Sequence, residues 1–267
     1  MATWLITAAA GGNGTRAHPA PGARTAGRDL RTRRYDAPAG ALREVTDRLR
    51  AEQRRFASDA SHELRTPLAG LRAQLEEARL HPDQTDLDRL LDAALRDVDR
   101  LQAIVADLLL LVEVGADPAA RREPVDLTDT VRAEAARRPG CDIRLQAEPA
   151  LVVDAARTHL TRLIADLFDN ASRYADRTIH IQLQRRHTTA QLTITDDGPG
   201  IPASDRERIF QPFTRLDTAR CRHNGGTGLG LAIARDIAHA HHGTLHTENA
   251  PDAGARFVLR LPLARPA

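Results

Sequence analysis

Residues 56–68 read Phe56-Ala57-Ser58-Asp59-Ala60-Ser61-His62-Glu63-Leu64-Arg65-Thr66-Pro67-Leu68. Apolar residues recur from Leu64 to Ala78 at alternating spacings of four and three, which is the period of a helix in a coiled coil. The pattern predicts a long first helix over residues 41–79, and Pro82 ends it.

The same period continues without a break from Leu87 to Val112 and predicts a second helix over residues 86–114. Two apolar seams joined by a short loop predict a helical hairpin. One hairpin leaves its seam half covered. The sequence therefore also predicts a homodimer in which two hairpins form a four-helix bundle.

The pattern changes after residue 115. Segments that alternate apolar and polar residues predict strands at 141–147, 178–184, 190–196, 243–249 and 255–261. Helices are predicted at 127–137, 155–174, 204–209 and 228–241. This mixture predicts an α/β sandwich with a helical layer on one face. The expected fold is multi-domain, α and then α+β, with a flexible basic leader at 1–40, the hairpin at 41–115 and a second domain at 124–264.

The formal net charge of the chain is only +2, which gives no case for nucleic-acid binding. The first 56 residues hold eleven arginines against five acidic residues. We interpret this leader as a solvated arm, with contact to a membrane surface or an acidic partner as the alternative. The apolar residues 4–10 are too few to span a bilayer, which takes about 20. Cys141 and Cys221 lack metal-ligand spacing, so a reduced, cytoplasmic setting is expected.

His62 is the first candidate for chemistry. At about 100° per residue, it lies about 160° from Leu64 at the centre of the seam, and it faces water. An exposed neutral imidazole can attack a phosphoryl group, and Glu63 is placed to orient it or to accept its proton. Thr66, one turn further on, is placed to position a water for dephosphorylation of a partner. On the residues alone, a plain surface pair of His and Glu stays an alternative.

The whole stretch from Phe56 to Leu68 resembles, nearly letter for letter, the phosphoacceptor box of the sensor histidine kinases. That family builds its dimerisation and phosphotransfer bundle from such a hairpin. The resemblance implies that His62 is the phosphorylated nucleophile.

The chain contains no lysine, which excludes a P-loop for phosphate binding. Asn170, near the end of the predicted helix 155–174, offers an amide oxygen to Mg²⁺. Arg173 would lie near the phosphates, and Tyr174 offers a ring to the base. An Asn near a helix end is by itself more often a cap than a ligand.

Two further segments point to a nucleotide. Asp196 ends a predicted strand, and the glycines that follow it let a ligand come close. Its carboxylate is therefore placed to accept a hydrogen bond from the adenine amino group. The glycine-rich run 225–230 opens the last predicted helix, where free backbone N–H groups form an anion site. A tight turn and an ordinary glycine-rich loop stay open as alternatives for each segment alone.

With Ile209-Phe210-Gln211-Pro212-Phe213-Thr214-Arg215 between them, these segments resemble in order the four ATP-binding boxes of the same family. The resemblance covers about residues 52–263. It implies ATP and Mg²⁺ as cofactors and a Bergerat-type ATP-binding domain, the α/β sandwich shared with gyrase, Hsp90 and MutL. Asn170 would hold Mg²⁺, Asp196 would read adenine, and Phe210 and Phe213 would anchor a mobile lid over 214–225. The implied nucleotide site also contains Arg173, Tyr174, Gly198, Gly200, Ile201, Arg215, Gly226, Thr227, Gly228, Leu229 and Gly230.

One position departs from the family pattern. The family usually has a further Asn one turn before Asn170, and this chain has Asp166 there. A carboxylate still binds Mg²⁺ but adds negative charge beside the triphosphate, so we predict Asp166 as a second metal ligand that alters the affinity for ATP. Most relatives also carry transmembrane helices and a sensor, and neither is visible in this sequence.

The leading hypothesis is therefore an autophosphorylating kinase that passes its phosphoryl group from His62 to an Asp of a response regulator receiver domain. Thr66 adds the hypothesis of regulator dephosphorylation. Two alternatives stay open. One is a pseudokinase or phosphotransfer scaffold with a weak, Asp166-containing pocket. The other is an ATPase clamp or serine kinase on the same ATP fold, which would have no use for the His62 box.

Overall fold

The computed structural model describes residues 37–116, 122–138, 142–216, 226–250 and 254–264. Most of the predicted leader, both cysteines and residues 217–225 of the predicted lid lie outside the described residues. Residues 49–267 belong to one compact unit, and the contacts described below all lie within it.

The predicted hairpin helices are present as α1 (Ala37–Leu80) and α2 (Leu87–Ala116). A single 3₁₀ turn, Pro82–Gln84, connects them, and Pro67 lies inside α1. Side chains join the two helices: Arg100 donates to Glu63 at 3.2 Å, and Gln74 donates to Asp97 at 3.4 Å. Large apolar side chains of the hairpin stay exposed in the single chain: Leu68, Leu75, Leu80, Leu87, Leu91, Leu95, Val98, Val105, Leu109 and Val112.

The second region is built on a five-stranded sheet in the order β2-β4-β5-β7-β6. Its strands are β2 (Asp142–Ala147), β4 (Thr178–Arg186), β5 (Thr189–Asp196), β6 (Thr244–Asn249) and β7 (Ala255–Pro262). The pair β2 and β4 is parallel, and the other neighbours are antiparallel. A separate antiparallel pair joins β1 (Glu123–Asp126) to β3 (Val152–Ala155).

Three helices accompany the sheet: α3 (Leu127–Ala136), α4 (Arg157–Tyr174) and α5 (Gly230–Ala240). On β4 the apolar residues Ile179, Ile181 and Leu183 are buried, while the residues between them are not. Alternate side chains of a strand point to opposite faces, so the helices cover one face of this strand. The α/β sandwich with a single helical layer is therefore confirmed.

The core of the sandwich follows from the amphipathic patterns of the sequence. Helix α4 buries apolar side chains at helical spacing, and α5 contributes Ile233 and Ile237. Burying one such side chain stabilises the fold by about 1.5–3 kcal/mol. The α4 side chains in the core are Leu160, Leu163, Ile164, Leu167 and Phe168.

Two parts of the sequence-based assignment were wrong or incomplete. Residues 204–209 do not form an α-helix but lie in two 3₁₀ turns, Ala203–Asp205 and Arg208–Phe210. A segment of six residues forms too few hydrogen bonds to offset the cost of starting an α-helix. The four-residue strands β1 and β3 were missed because they are short and β1 contains Pro124.

Candidate active site

His62 lies on the exposed surface of α1, as its helical phase predicts. The hydroxyl of Thr66 donates a hydrogen bond to the backbone oxygen of His62 at 3.1 Å. A threonine one turn after another residue commonly bonds back to its carbonyl in this way. The imidazole is therefore reachable from solvent. The Thr66 hydroxyl donates its proton to the backbone and keeps its lone pairs to accept a hydrogen bond from a water.

Glu63 is held by a partner that the sequence analysis missed. Its Oε2 accepts a hydrogen bond from Nη2 of Arg100 on α2 at 3.2 Å. The two side chains are 28% and 32% exposed, so water screens the pair only partly. Arg100 is 37 residues away along the chain, and only the antiparallel hairpin brings it opposite Glu63.

Asp196 forms the floor of a buried polar site at the end of β5. Its Oδ1 accepts hydrogen bonds from the backbone N–H groups of Gly198 and Ala255, each at 3.1 Å. Its Oδ2 is buried and has no hydrogen-bond partner in the described part of the chain. Burial raises the pKa of this carboxyl above its ordinary value, against the effect of the two backbone donors. A buried acceptor without a partner fits an exocyclic amino group such as that of adenine.

Glycines around Asp196 are required by the close approach of three backbone segments. A Cβ at Gly198 would overlap the carbonyl oxygen of Tyr174, and a Cβ at Gly254 would overlap that of Asp196. Gly200 and Gly254 both have positive φ, at 75° and 87°. Gly254 lies before β7 and outside any predicted box, so no sequence motif marks it.

Asp197 differs from Asp196 in that its role is structural. Its two carboxylate oxygens accept hydrogen bonds from three successive backbone N–H groups, those of Asp176, Arg177 and Thr178, at 2.8–3.0 Å. These backbone donors lower the pKa of Asp197. Asp197 therefore fixes the turn between α4 and β4, while Asp196 is left for the ligand.

One face of α4 carries four polar residues that point at the same region, at positions 162, 166, 170 and 173. Both oxygens of Asp166 accept from Nε of Arg162 at 3.0 Å. Burial raises the pKa of Asp166 to about 7 despite this arginine. Asn170 is half-buried one turn further along. Among the described residues no three His, Cys, Asp or Glu side chains form a metal site by themselves. Mg²⁺ usually takes one or two protein ligands together with phosphate and water, and the side-chain oxygens of Asn170 and Asp166 could hold it in that way.

The ends of the predicted lid are tied together. The N–H of Phe213 donates to the oxygen of Gly228 at 2.9 Å, and both residues have positive φ, 61° and 76°. Phe210 is buried edge-on against Phe257, with the guanidinium of Arg235 over its ring. The lid therefore starts and ends at two fixed, adjacent points.

The glycine-rich segment before α5 is held by polar contacts on two sides. The guanidinium of Arg173 occupies the space that a Cβ at Gly226 would need. The N–H of Leu229 donates to the Thr227 hydroxyl at 3.2 Å, and that hydroxyl donates to Asp107 on α2 at 2.8 Å. The segment leads directly into the N-terminus of α5, where backbone N–H groups favour an anion.

Comparison with known proteins agrees with this geometry. Residues 52–116 match the family described as His Kinase A (phospho-acceptor) domain, and residues 155–265 match the histidine kinase-, DNA gyrase B- and HSP90-like ATPase family. The chain belongs to the sensor histidine kinases. It is 36% identical over 227 residues to the sensor-like histidine kinase SenX3 of Mycobacterium tuberculosis, a match covering 80% of this chain and 55% of SenX3.

Solved histidine kinases share the arrangement. Acinetobacter baumannii histidine kinase AdeS superposes with a TM-score of 0.63 at 25% identity, covering 76% of this chain and 98% of that one. Histidine kinase ThkA in its complex with response regulator protein TrrA gives a TM-score of 0.65 at 22% identity, covering 85% of this chain and 66% of that one. At that identity, the ThkA likeness concerns the fold. The chain spans about half the length of the first relatives that it matches.

The structure brings together most residues predicted for the nucleotide site. The backbone oxygen of Tyr174 lies against Gly198. Ile201 packs against the core, and Arg215 is exposed beside the undescribed part of the lid. In the part of the chain that is described, no helix combines the length and apolar character needed to cross a membrane.

Proposed function

We propose that this chain is the kinase core of a two-component sensor, which transfers the γ-phosphoryl group of ATP to His62 and then to an Asp of a response regulator. The observation that carries the proposal is the buried Oδ2 of Asp196, which has no hydrogen-bond partner in the described part of the chain and is an acceptor suited to adenine. It lies in the same compact unit as a hairpin that presents an exposed His62.

The chemistry assigned to the residues is an in-line displacement. A neutral His62 attacks phosphorus through an imidazole nitrogen, a new N–P bond forms, the bond to the β-phosphate oxygen breaks, and ADP leaves. Glu63 accepts the proton of the attacking imidazole, while its Oε2 is the oxygen that Arg100 binds. Mg²⁺ at Asn170, with Asp166 as a second ligand, would neutralise charge on the phosphate oxygens.

The site residues keep the roles that the sequence predicted for them. Asp196 selects adenine, with Tyr174 and Ile201 beside the base, while Gly198 and Gly200 leave room for it. Arg173 and the segment from Gly226 to Gly230, with Thr227, Gly228 and Leu229, bind the phosphates. Phe210 and Phe213 anchor the lid, and Arg215 belongs to the nucleotide site.

We further propose a homodimer with a response regulator receiver domain as its partner. The exposed apolar side chains of the hairpin, such as Leu91 and Leu109, support the dimer because a second copy would remove them from water. A solved relative of the same fold, ThkA, is seen with a response regulator protein. The lone pairs of the Thr66 hydroxyl would orient a water for hydrolysis of the phosphorylated regulator.

The test incubates the purified chain with γ-labelled ATP and Mg²⁺, beside His62→Gln and Asn170→Ala. Acid-labile, alkali-stable label on the wild type alone is the expected result. Label that survives His62→Gln would reject His62 as the nucleophile. Receiver-domain transfer is then followed as loss of label from the kinase.

A second candidate, a phosphotransfer scaffold, is favoured by one observation. Both oxygens of Asp166 are engaged by Arg162, and the carboxylate adds negative charge where the family usually has an amide. Under this hypothesis the wild type takes up no label from ATP but still accepts a phosphoryl group from a phosphorylated receiver domain.

A further inference from the structure

Asp107 of α2 is an acidic side chain buried at the junction of the hairpin and the ATP-binding domain. It is only 3% exposed. Its Oδ1 accepts from Nη2 of Arg162 on α4 at 2.6 Å, and its Oδ2 accepts from the hydroxyl of Thr227 at 2.8 Å. Both oxygens of one hairpin carboxylate are thus bound by residues of the other domain. None of the predicted functions uses this residue.

The groups that bind Asp107 belong to the nucleotide side of the domain. Thr227 lies in the glycine-rich segment just before the N-terminus of α5, and Arg162 shares its guanidinium with Asp166. An arginine, a hydroxyl and a helix N-terminus are the donors that a phosphate oxygen would seek. The Asp107 carboxylate presents a similar anionic group to them.

A second contact fixes the hairpin to the lid. The ring of Phe56 on α1 lies against that of Phe213, with centroids 5.7 Å apart. Phe213 and Thr227 lie on either side of the predicted lid. Both are therefore bound to the hairpin, Phe213 by Phe56 and Thr227 by Asp107.

The ATP-binding domain contacts the hairpin at a place away from His62, and we call this arrangement the docked position. Phe56 lies six residues before His62, which is about 9 Å along α1 and about 120° around it. Asp107 lies seven residues beyond Arg100, the residue opposite Glu63, or about 10 Å along α2. The glycine-rich segment with Thr227 thus contacts a different face of the hairpin, at a different height, from the one that carries His62.

We propose that Asp107 is an internal substitute for nucleotide phosphate: it occupies Thr227 and Arg162 in the docked state, so that docking of the hairpin and binding of ATP compete. The proposal rests on the proposed function, because it presumes that ATP binds this domain. Nucleotide then releases the domain from Asp107 and frees it to approach His62. Arg162 becomes a phosphate-binding residue of the released domain.

The experiment measures binding of the β,γ-imido analogue of ATP, with Mg²⁺, to the full chain by calorimetry. Asp107→Asn keeps the shape of the side chain and removes its charge. We expect it to tighten the apparent Kd by about three- to tenfold, because a larger fraction of the protein is then binding-competent. Asp99→Asn is the matched control, since Asp99 is an exposed acid on the same helix and its loss should leave the Kd unchanged.

A second readout separates release of the domain from a simple loss of nearby charge. Small-angle scattering of the wild type should show a larger radius of gyration when the analogue is added. Asp107→Asn should already be expanded without nucleotide. Asp107→Ala serves if Asp107→Asn does not fold, because Arg162 keeps Asp166 as its partner and alanine favours the helix.

The outcomes are distinct. If the wild type and Asp107→Asn bind the analogue with equal Kd, competition is rejected while ATP binding stands. If Asp107→Asn binds more tightly but the scattering of the wild type does not change with nucleotide, Asp107 acts only as a repulsive charge and the proposal is overturned. If no form binds the analogue, the proposed function fails together with this inference.

Discussion

The hairpin and the ATP-binding domain place their functional polar side chains in opposite environments. The hairpin exposes His62 and, in its described part, ten large apolar residues, whereas the domain buries Asp196, one of whose oxygens has no partner among the described residues. A helix surface tolerates changes because water can replace most of its contacts. A buried polar site does not, since its backbone segments and charges have no alternative partners. The expected effects of substitution therefore fall steeply from the domain to the hairpin.

The largest difference in stability between the two regions should appear when one glycine of each is replaced by alanine. Gly198→Ala places a Cβ on the backbone oxygen of Tyr174, so we expect the free energy of unfolding of the domain to fall by about 3 kcal/mol or more. Gly115→Ala is the hairpin control. No described residue lies within 4 Å of its Cβ position in α2, and the change should stabilise the helix by up to about 1 kcal/mol. Denaturant unfolding followed by circular dichroism measures both, and equal effects would contradict the comparison.

Asp196→Asn should abolish most nucleotide binding and leave the fold in place. The amide oxygen can still accept from Gly198 and Ala255, but the amide nitrogen then opposes the adenine amino group with another donor. We expect the Kd for ATP to rise about 100-fold, equivalent to about 2.7 kcal/mol. Calorimetry with ATP and with GTP checks this. An unchanged Kd for ATP would remove adenine recognition from Asp196.

Protonation of His241 at acidic pH should lower the stability of the ATP-binding domain. It is buried, its Nε2 accepts from the N–H of Ala156 at 3.0 Å and its Nδ1 lies 2.8 Å from the oxygen of Ile237. Burial lowers its pKa, and the charged or titratable groups facing it, Arg122, His159 and His242, act in the same direction. Because the folded pKa lies below the unfolded value of about 6.5, the stability is complete above that pH and is lost as the pH falls below it.

The measurement for His241 is the midpoint of urea unfolding between pH 5 and 8. The wild type should lose stability below about pH 6.5. His241→Gln should be less stable at pH 8 but should show a flatter dependence on pH. A dependence as steep as that of the wild type would assign the effect to other groups.

The smallest effect on stability is expected in the hairpin at Arg100. Its ion pair with Glu63 is about one-third exposed, so Arg100→Gln should change the free energy of unfolding by less than about 1 kcal/mol. Freed from the arginine, Glu63 should accept the proton of His62 more readily and raise the rate of autophosphorylation by up to about fivefold. Rapid-quench labelling measures the rate. A slower variant would show that Arg100 instead holds Glu63 in its productive position.

The sequence predicted the elements in which a periodic pattern of apolar residues continues over many positions. The seam from Leu64 to Val112 gave both hairpin helices, and β4, β5 and β7 ended within two residues of their predicted limits. The short elements failed. Residues 204–209 and the strands β1 and β3 are decided by the surfaces they pack on, because so few residues carry little local preference.

The nucleotide site shows the same division. Its boxes could be recognised because each consists of neighbouring residues, but the contacts that complete them come from afar. Gly254 and Ala255 lie almost 60 residues from Asp196, and Asp107 lies 55 and 120 residues from its two partners. No local pattern marks these residues, since a glycine before a strand and an acid on a helix are both ordinary.

The sequence by itself determined the two helices, the exposure of His62 and the chemical character of the nucleotide boxes, because helical phase and the φ freedom of glycine are local properties of the chain. Only the tertiary structure decided that one oxygen of Asp196 has no partner among the residues described, that Arg100 holds Glu63 and that Asp107 occupies Thr227 and Arg162. These depend on which distant groups meet in a space without water, where each buried charge must find a partner or a ligand.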